Sequence, residues 1–352
     1  MAEVFSEINN GLNISVKFKP FTDGLYSLNS LQFYEEIGGL LPYGKAEFLV
    51  TKYEPAKVLM TKSIEGTIII TGPKSTFEIP VIITSRQTIA VKFLVNFIVA
   101  PSTSFYTEKK VETFDNINDA MSTLTNAFKN KNINVKSNVN PSIRIYKDFS
   151  TRYNFLKKLA QGYKNNTVFG FSINGFFIKK IKADSITANP ILLGLSHWQV
   201  SSYNNLALNK NQDNNNPSIT TEEDSNILPS SSNYKIVDSY NTTQCFGGGG
   251  YEELGKNYIK NSTFIQNAKT NTLKITNYID IPTFKLGDNI VTVDKIGKED
   301  TDKNIKKRTN LVWSNEFFIR FEGSDFKSKE GKNYFWTSTL VNLDNAPWSN
   351  TK

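Results

Sequence analysis

Cys245 and His197 are the only cysteine and the only histidine in 352 residues. One cysteine excludes an intrachain disulfide and any CxxC redox or metal motif. One histidine excludes a centre built on several imidazoles and leaves a single general-base candidate of the commonest type. His197 stands beside Trp198 in GLSHWQV, which reads as a strand, and is taken as a packed side chain; Cys245 is taken as a loop residue without chemistry. Long apolar runs are also missing. The longest candidate, TIAVKFLVNFIVA from Thr88 to Ala100, is too short to span a bilayer and carries Lys92 and Asn96. The first residues, MAEVFSEINNGLN, lack a charged start followed by an apolar core, so no secretory signal is expected.

Catalytic groups are equally scarce. The run Gly247 to Gly250 lacks the Lys-Ser/Thr that completes a phosphate-binding loop, and no apolar strand precedes it. Glu222, Glu223 and Asp224 lie together in a polar stretch, without the rigid cleft that paired carboxylates need for glycoside hydrolysis. A calcium-loop pattern is absent. The net charge is +8, but the cations are scattered. Their densest run, DKNIKKR from Asp302 to Arg308, is mixed in character and reads as a solvated loop rather than a nucleic-acid patch. In GFFIKKIK the aromatic residues could stack bases, but strand alternation more simply puts Phe177 and its neighbours in a core and the lysines in water. No catalytic, cofactor-binding or metal-binding residue is assigned and no cofactor is expected. The chain reads as a structural or binding protein, not an enzyme.

What is present is β texture. Aromatic residues make up 12% of the chain, with 25 Phe and 15 Tyr, and such rings pack well on pleated surfaces. The length calls for two or three domains. Residues 1–104 read as short strands separated by Gly and Pro turns, with Ile14, Val16 and Phe18 alternating on one face; LNSLQFYEEIGGLL reads as either a short helix or the start of a strand. Residues 105–184 change character. Ile117, Met121, Leu124 and Phe128 take helical spacing behind Asp115 or Asn116 as N-cap. SIRIYKD then reads as a strand. A second helix starts near Ser150, with Tyr153, Leu156, Leu159, Ala160 and Tyr163 on one stripe, and a hairpin follows that turns at Asn174-Gly175. Residues 185–352 return to strands after a long polar loop at about 209–235, with a short helix after the Gly run. The fold class is β-rich α+β: two small β-barrel domains, two copies of one type, flanking an α/β insert of helix, strand, helix and hairpin.

That element order resembles the hub proteins of phage tails, the late-control-protein-D family of contractile-tail baseplates and the related VgrG spike proteins of type VI secretion. The residues that carry the resemblance are Phe155, Leu156, Leu159 and Ala160, followed by the aromatic hairpin with Phe169, Phe171, Phe176 and Phe177. Gly162 is followed by YKNN where the family has an acidic run. Pro282, Gly287 and Asp288 resemble the lead-in to the family's second barrel, and VWSNEFFIRFEG with NYFWTSTLVNL resembles its closing hairpin. The resemblance implies a bacteriophage virion protein, assembled in the host cytoplasm: a homotrimer whose two barrels per chain make a pseudo-sixfold ring. One face would meet a hexameric tail tube, and the other a trimeric spike or fibre supplied as a separate polypeptide. Contact with exiting DNA would be sequence-independent. Two other readings stay open at this stage: a carbohydrate- or receptor-binding β-sandwich of a tail, and a tail-associated cell-wall hydrolase.

Overall fold

The computed structural model describes residues 14–19, 26–50, 65–72, 76–89, 92–182, 190–193, 198–205, 252–268, 271–279, 281–295, 305–322 and 330–343. His197, Cys245, the four-glycine run, the acidic triplet and the 209–235 loop lie outside them. The first β block holds β1 (Ser15–Lys19), β2 (Tyr26–Glu36), β3 (Tyr43–Val50), β4 (Glu65–Thr71), β5 (Thr76–Ile89) and β6 (Lys92–Val99). The insert holds α1 (Thr103–Thr107), β7 (Glu112–Phe114), α2 (Ile117–Thr125), β8 (Lys131–Ile133), β9 (Ile145–Lys147), α3 (Arg152–Gly162), β10 (Thr167–Ser172) and β11 (Gly175–Lys180). The second block holds β12 (Ile191–Leu192), β13 (Trp198–Asn205), α4 (Glu252–Ala268), β14 (Asn271–Asn277), β15 (Asn289–Lys295), β16 (Ile305–Glu322) and β17 (Glu330–Asn342).

Alternation explains the strands. In β6, Phe93, Val95, Phe97 and Val99 are buried while Lys92 and Asn96 face solvent. In β2, Leu31, Phe33 and Glu35 turn inward, and Gln32, Tyr34 and Glu36 are half-exposed on the opposite face. LNSLQFYEE is therefore a strand, because its period is two and not 3.6.

The two β blocks have one topology. The first runs β1-β4-β5-β6-β3-β2 and the second β12-β15-β16-β17-β14-β13, which is the same order strand for strand. Registers agree as well. Glu65, Ile82, Ile98, Tyr43 and Tyr34 form a row of direct partners across the first block. Asn289, Leu311, Val341, Thr272 and Asn204 form the matching row across the second. A bulge follows Ile83 in β5 and Val312 in β16, one residue past the row in each block. The outermost pairing differs, since β1 is antiparallel to β4 and β12 is parallel to β15. The blocks are also joined: β2 pairs antiparallel with β16 from Ser30↔Arg320 to Glu36↔Ser314, giving one 12-stranded sheet with a shared apolar cluster. Phe33 stacks on Phe317 across this seam, with ring centroids 4.8 Å apart.

Several local expectations change. Asn116 caps α2, accepting from the N–H groups of Asn118 and Asp119, but α3 is capped by Thr151, and the Ser150 hydroxyl is buried without a partner. The hairpin turns on Ile173 and Asn174; Gly175 already pairs with Ser172 as the first residue of β11, with a φ of 113°. Within DKNIKKR, Ile305 to Arg308 are not loop but the start of β16, paired with β15. In β11 the alternation fails, because Phe176, Phe177 and Ile178 are all buried.

The helix after the Gly run is not short. α4 has 17 residues and packs against α3, so a segment from the second block completes the core of the insert through Leu254 and Tyr258. Asn261, 2% exposed, locks it there. Its amide donates to the carbonyls of Gln161 and Lys164 at 2.7 Å each, and its oxygen accepts from the Thr167 N–H at 3.3 Å. Asn257 donates to the Gly162 carbonyl at 3.0 Å. Asn261→Ala removes the side-chain partners of the buried Gln161 carbonyl and Thr167 N–H and leaves the Lys164 carbonyl to the Thr167 hydroxyl. It is expected to lower unfolding stability by about 2–4 kcal/mol, read as a shift of the urea midpoint with an unchanged slope.

Candidate functional site: the joint between the two blocks and the insert

The insert is held by its hairpin, which is buried on both faces. Phe169, Phe171, Phe176 and Ile178 belong to the core of the insert, whereas Val168 and Phe177 belong to a separate cluster with Leu286, Trp313 and Val341. Tyr153 of α3 leans on Phe171, with ring centroids 5.4 Å apart, and its hydroxyl donates to the Gly39 carbonyl at 2.8 Å, just beyond β2. The aromatic stripe therefore packs against the hairpin, as its sequence spacing implies.

A single buried carboxylate ties the three parts together. Glu35, 1% exposed, projects inward from β2 at the seam. One oxygen accepts from the Ile173 N–H at the hairpin turn at 2.9 Å, and the other from the Asn315 amide of β16 at 2.7 Å. Asn315 in turn accepts from the Ser338 hydroxyl at 2.7 Å and from the Trp336 indole at 3.3 Å. Beside this, the Trp313 indole donates to Glu36 at 2.9 Å. Burial pushes the Glu35 carboxyl up from 4.5 to about 6, against the opposing pull of Asn315, Ile173 and the Lys179 charge.

A second clasp sits on the other side of the hairpin. Lys179 of β11 donates to Asp288 and to the Leu286 carbonyl, and its ammonium lies 5.1 Å from the Phe177 ring centre. Phe177 presses on Gly287. An added Cβ there would stand 2.5 Å from the ring, and the backbone φ of 77° already favours glycine. The Gly287 N–H donates to Val312, and the Val312 N–H returns to Asp288, both at 2.9 Å. Two of the three lead-in residues picked from the sequence, Gly287 and Asp288, are thus brought to the hairpin.

Sequence reading missed Glu35, Asn315 and Asn261. A lone Glu on the apolar face of LQFYEEI was the available signal. A raised carboxyl pKa is also a mark of general acids. Glu35, however, is sealed among protein donors and lines neither of the two clefts beside the insert. One of them, about 230 Å³, lies between the first block and the hairpin turn and is lined by Pro80, Val99, Phe128 and Ile173 together with the ion pair Lys129–Glu78. Among the described residues no group of three His, Cys, Asp or Glu is placed to hold a metal ion, and no helix is long and apolar enough to cross a membrane.

A third charged cluster is structural. The Lys147 side chain is fully buried and donates to the Lys110 carbonyl, with Glu112 at 3.5 Å; Arg152 is bidentate on the same Glu112. Partial burial raises the Glu112 carboxyl, but the hydrogen bond and charge of Arg152, with Lys147, outweigh it and hold the group below the usual range.

The two carboxylates give opposite pH responses. Glu35 has its folded pKa above the unfolded 4.5, so its contribution is complete below 4.5 and is lost as pH rises through about 6. Lowering pH from 7.5 to 5 is expected to add about 1–2 kcal/mol from this group, and Glu35→Gln abolishes that increment when denaturant midpoints at the two pH values are compared. Glu112 has a depressed pKa, so its contribution is present above 4.5 and lost only as pH falls through its lower folded value. Glu112→Ala leaves Lys147 buried without its carboxylate, and a loss of about 3–5 kcal/mol is expected, measured by the same titrations at pH 7.

No family model matches the chain, and no curated protein matches it. Solved structures do. A 43 kDa tail protein of prophage MuSo2 from Shewanella oneidensis aligns over 94% of this chain and 97% of its own, at 12% identity and a TM-score of 0.55. The tail protein of Neisseria meningitidis MC58 aligns over 91% and 97%, at 10% identity and 0.51. The E. coli c3393 protein, a component of the type VI secretion system with structural similarity to the T4 bacteriophage tail proteins gp27 and gp5, aligns over 94% and 77%, at 10% identity and 0.52. At these identities the likeness is one of fold, and the fold of this chain is that of the phage tail proteins and their type VI secretion counterpart.

Proposed function

We propose that the chain is a structural protein of a phage tail, a hub that assembles as a homotrimer and adapts a hexameric tail tube to a central spike or fibre. The observation that carries this reading is the duplicated block. Two six-stranded blocks of identical order and matched register are fused side by side through the β2–β16 ladder. Three such chains present six near-equivalent blocks, so a sixfold partner meets the same surface six times while the chain itself keeps threefold symmetry. The insert is present once per chain and marks the threefold side. Such a role needs rigidity, which the Glu35 joint and the Gly287 clasp supply, and requires no catalytic group. The scattered charge of +8 suits, at most, sequence-independent contact with phosphates.

The purified chain, alone or with its tube and spike neighbours, is expected to give a native mass three times its 39.8 kDa. Electron microscopy of the assembled particle should show six β blocks in one ring. A chain that stays monomeric at every concentration and with every tail neighbour would sink the reading.

A further inference from the structure

The duplicated topology leaves two open edges that correspond to the two strands of the internal seam. β13 ends the sheet of the second block as β2 ends that of the first, but β2 is covered by β16 and β13 has β14 on one side only among the described residues. The second edge is on β5. Its first half pairs with β4 up to Ile82, just as β16 pairs with β15 up to Leu311. Beyond the bulge, residues 314–320 of β16 carry β2, and no described strand lies on the matching side of Ser85–Ile89 in β5. Burial follows the same contrast. Ser314, Asn315, Phe317 and Ile319 are buried, whereas Ser85, Gln87, Thr88 and Ile89 are exposed, Ile89 by 48%. Val200, on the other open edge, is 49% exposed.

We propose that β13 of one copy of this chain adds antiparallel to residues 85–89 of β5 in a neighbouring copy, repeating between chains the ladder that β2 and β16 make within each chain. The occupant is set by the internal precedent: the chain already shows what fits the second half of this strand type, and β13 is the other member of the pair in the same register. That register is defined. Tyr34 and Asn204 sit at matching ends of the two rows described above, and Tyr34 faces Glu316, five residues beyond Leu311. Five residues beyond Ile82 is Gln87, so position 204 faces Gln87 of the neighbour. Position 205 then faces Arg86, as Glu35 faces Asn315, and position 203 faces Thr88, as Phe33 faces Phe317. Each copy donates one edge and accepts one, so the contact is head-to-tail and must either close a ring or continue without end. Closure at three rests on the trimeric reading above; the strand addition itself does not.

Directly opposed positions on antiparallel strands are close enough for a disulfide. In a Cys245→Ser background, Tyr34→Cys with Glu316→Cys is the internal control, expected to form an intrachain bond. The test variant carries Asn204→Cys with Gln87→Cys. On mild oxidation it is expected to run as covalent two- and three-chain species that collapse to one chain on reduction. A mismatched variant, Asn204→Cys with Thr76→Cys, should stay at one chain. If native mass gives a trimer but the test pair cross-links no more than the mismatched pair, the strand addition is wrong and the hub reading stands. Covalent ladders running well past three chains would support the strand addition and overturn closure at three. A monomer throughout, with no interchain bond, removes both.

Discussion

The Glu35 carboxylate is the constraint on which the relation of the three parts depends. Each of its oxygens is committed to a different part of the chain, one to the backbone of the insert and one to a side chain of the second block. A buried charge without partners would be costly, and a carboxylate whose acceptors are filled is tolerated only in the geometry that fills them. The hairpin turn therefore has one place to sit relative to the seam. An apolar residue at position 35 would bury at lower cost but would accept any nearby packing. The polar choice exchanges some stability for a defined relation between insert and sheet.

The same logic runs outward from the seam. Asn315 passes the network to Trp336 and Ser338 on β17, and a separate bond from the Trp313 indole ties Glu36 on the other face of β2. On the far side of the hairpin, Phe177 against Gly287 leaves no room for a side chain, so the lead-in to β15 is fixed by shape where the seam is fixed by hydrogen bonds. The insert, although drawn from the middle of the chain, is completed by α4 from the second block and clamped by Asn261. It is accordingly a bridge across both blocks, and its removal would expose apolar surface on each.

Much of this was legible in sequence, and what was not has a physical reason. Period-two alternation in KFLVNFIV and the capping Asn116 are local signals, and both are realised. The aromatic stripe of α3 and the hairpin were also readable, because helix faces and turn residues are encoded within a few positions. The β2–β16 pairing joins residues nearly 300 positions apart, and nothing local in YSLNSLQFYEE announces its partner. The double-sided burial of β11 was misread for the same reason, since alternation assumes that one face of a strand meets water. Glu35 was hidden because a charged residue at a core position looks like a break in the pattern until its donors are seen. The KKR run was misread because a cation-rich stretch that begins a long strand has the composition of a loop.

On the proposed strand addition, the duplication turns an ordinary hazard of β proteins into a means of assembly. Open sheet edges invite uncontrolled pairing, and natural proteins usually blunt them. Among the described residues the two open edges correspond to the two strands of an interface the chain already makes internally, and on the proposed addition the partner that fits is another copy. Residues 85–89 of β5 are mostly polar, SRQTI, so this edge offers little apolar surface for nonspecific capture. A single such contact is therefore weak. In a closed ring each chain is held at two edges at once, and breaking one contact leaves the other in place, so the ring is favoured over its open fragments by effective concentration alone. An open-ended chain of the same contacts would lack that gain, so closure rather than the strength of any one ladder is what would select a finite hub.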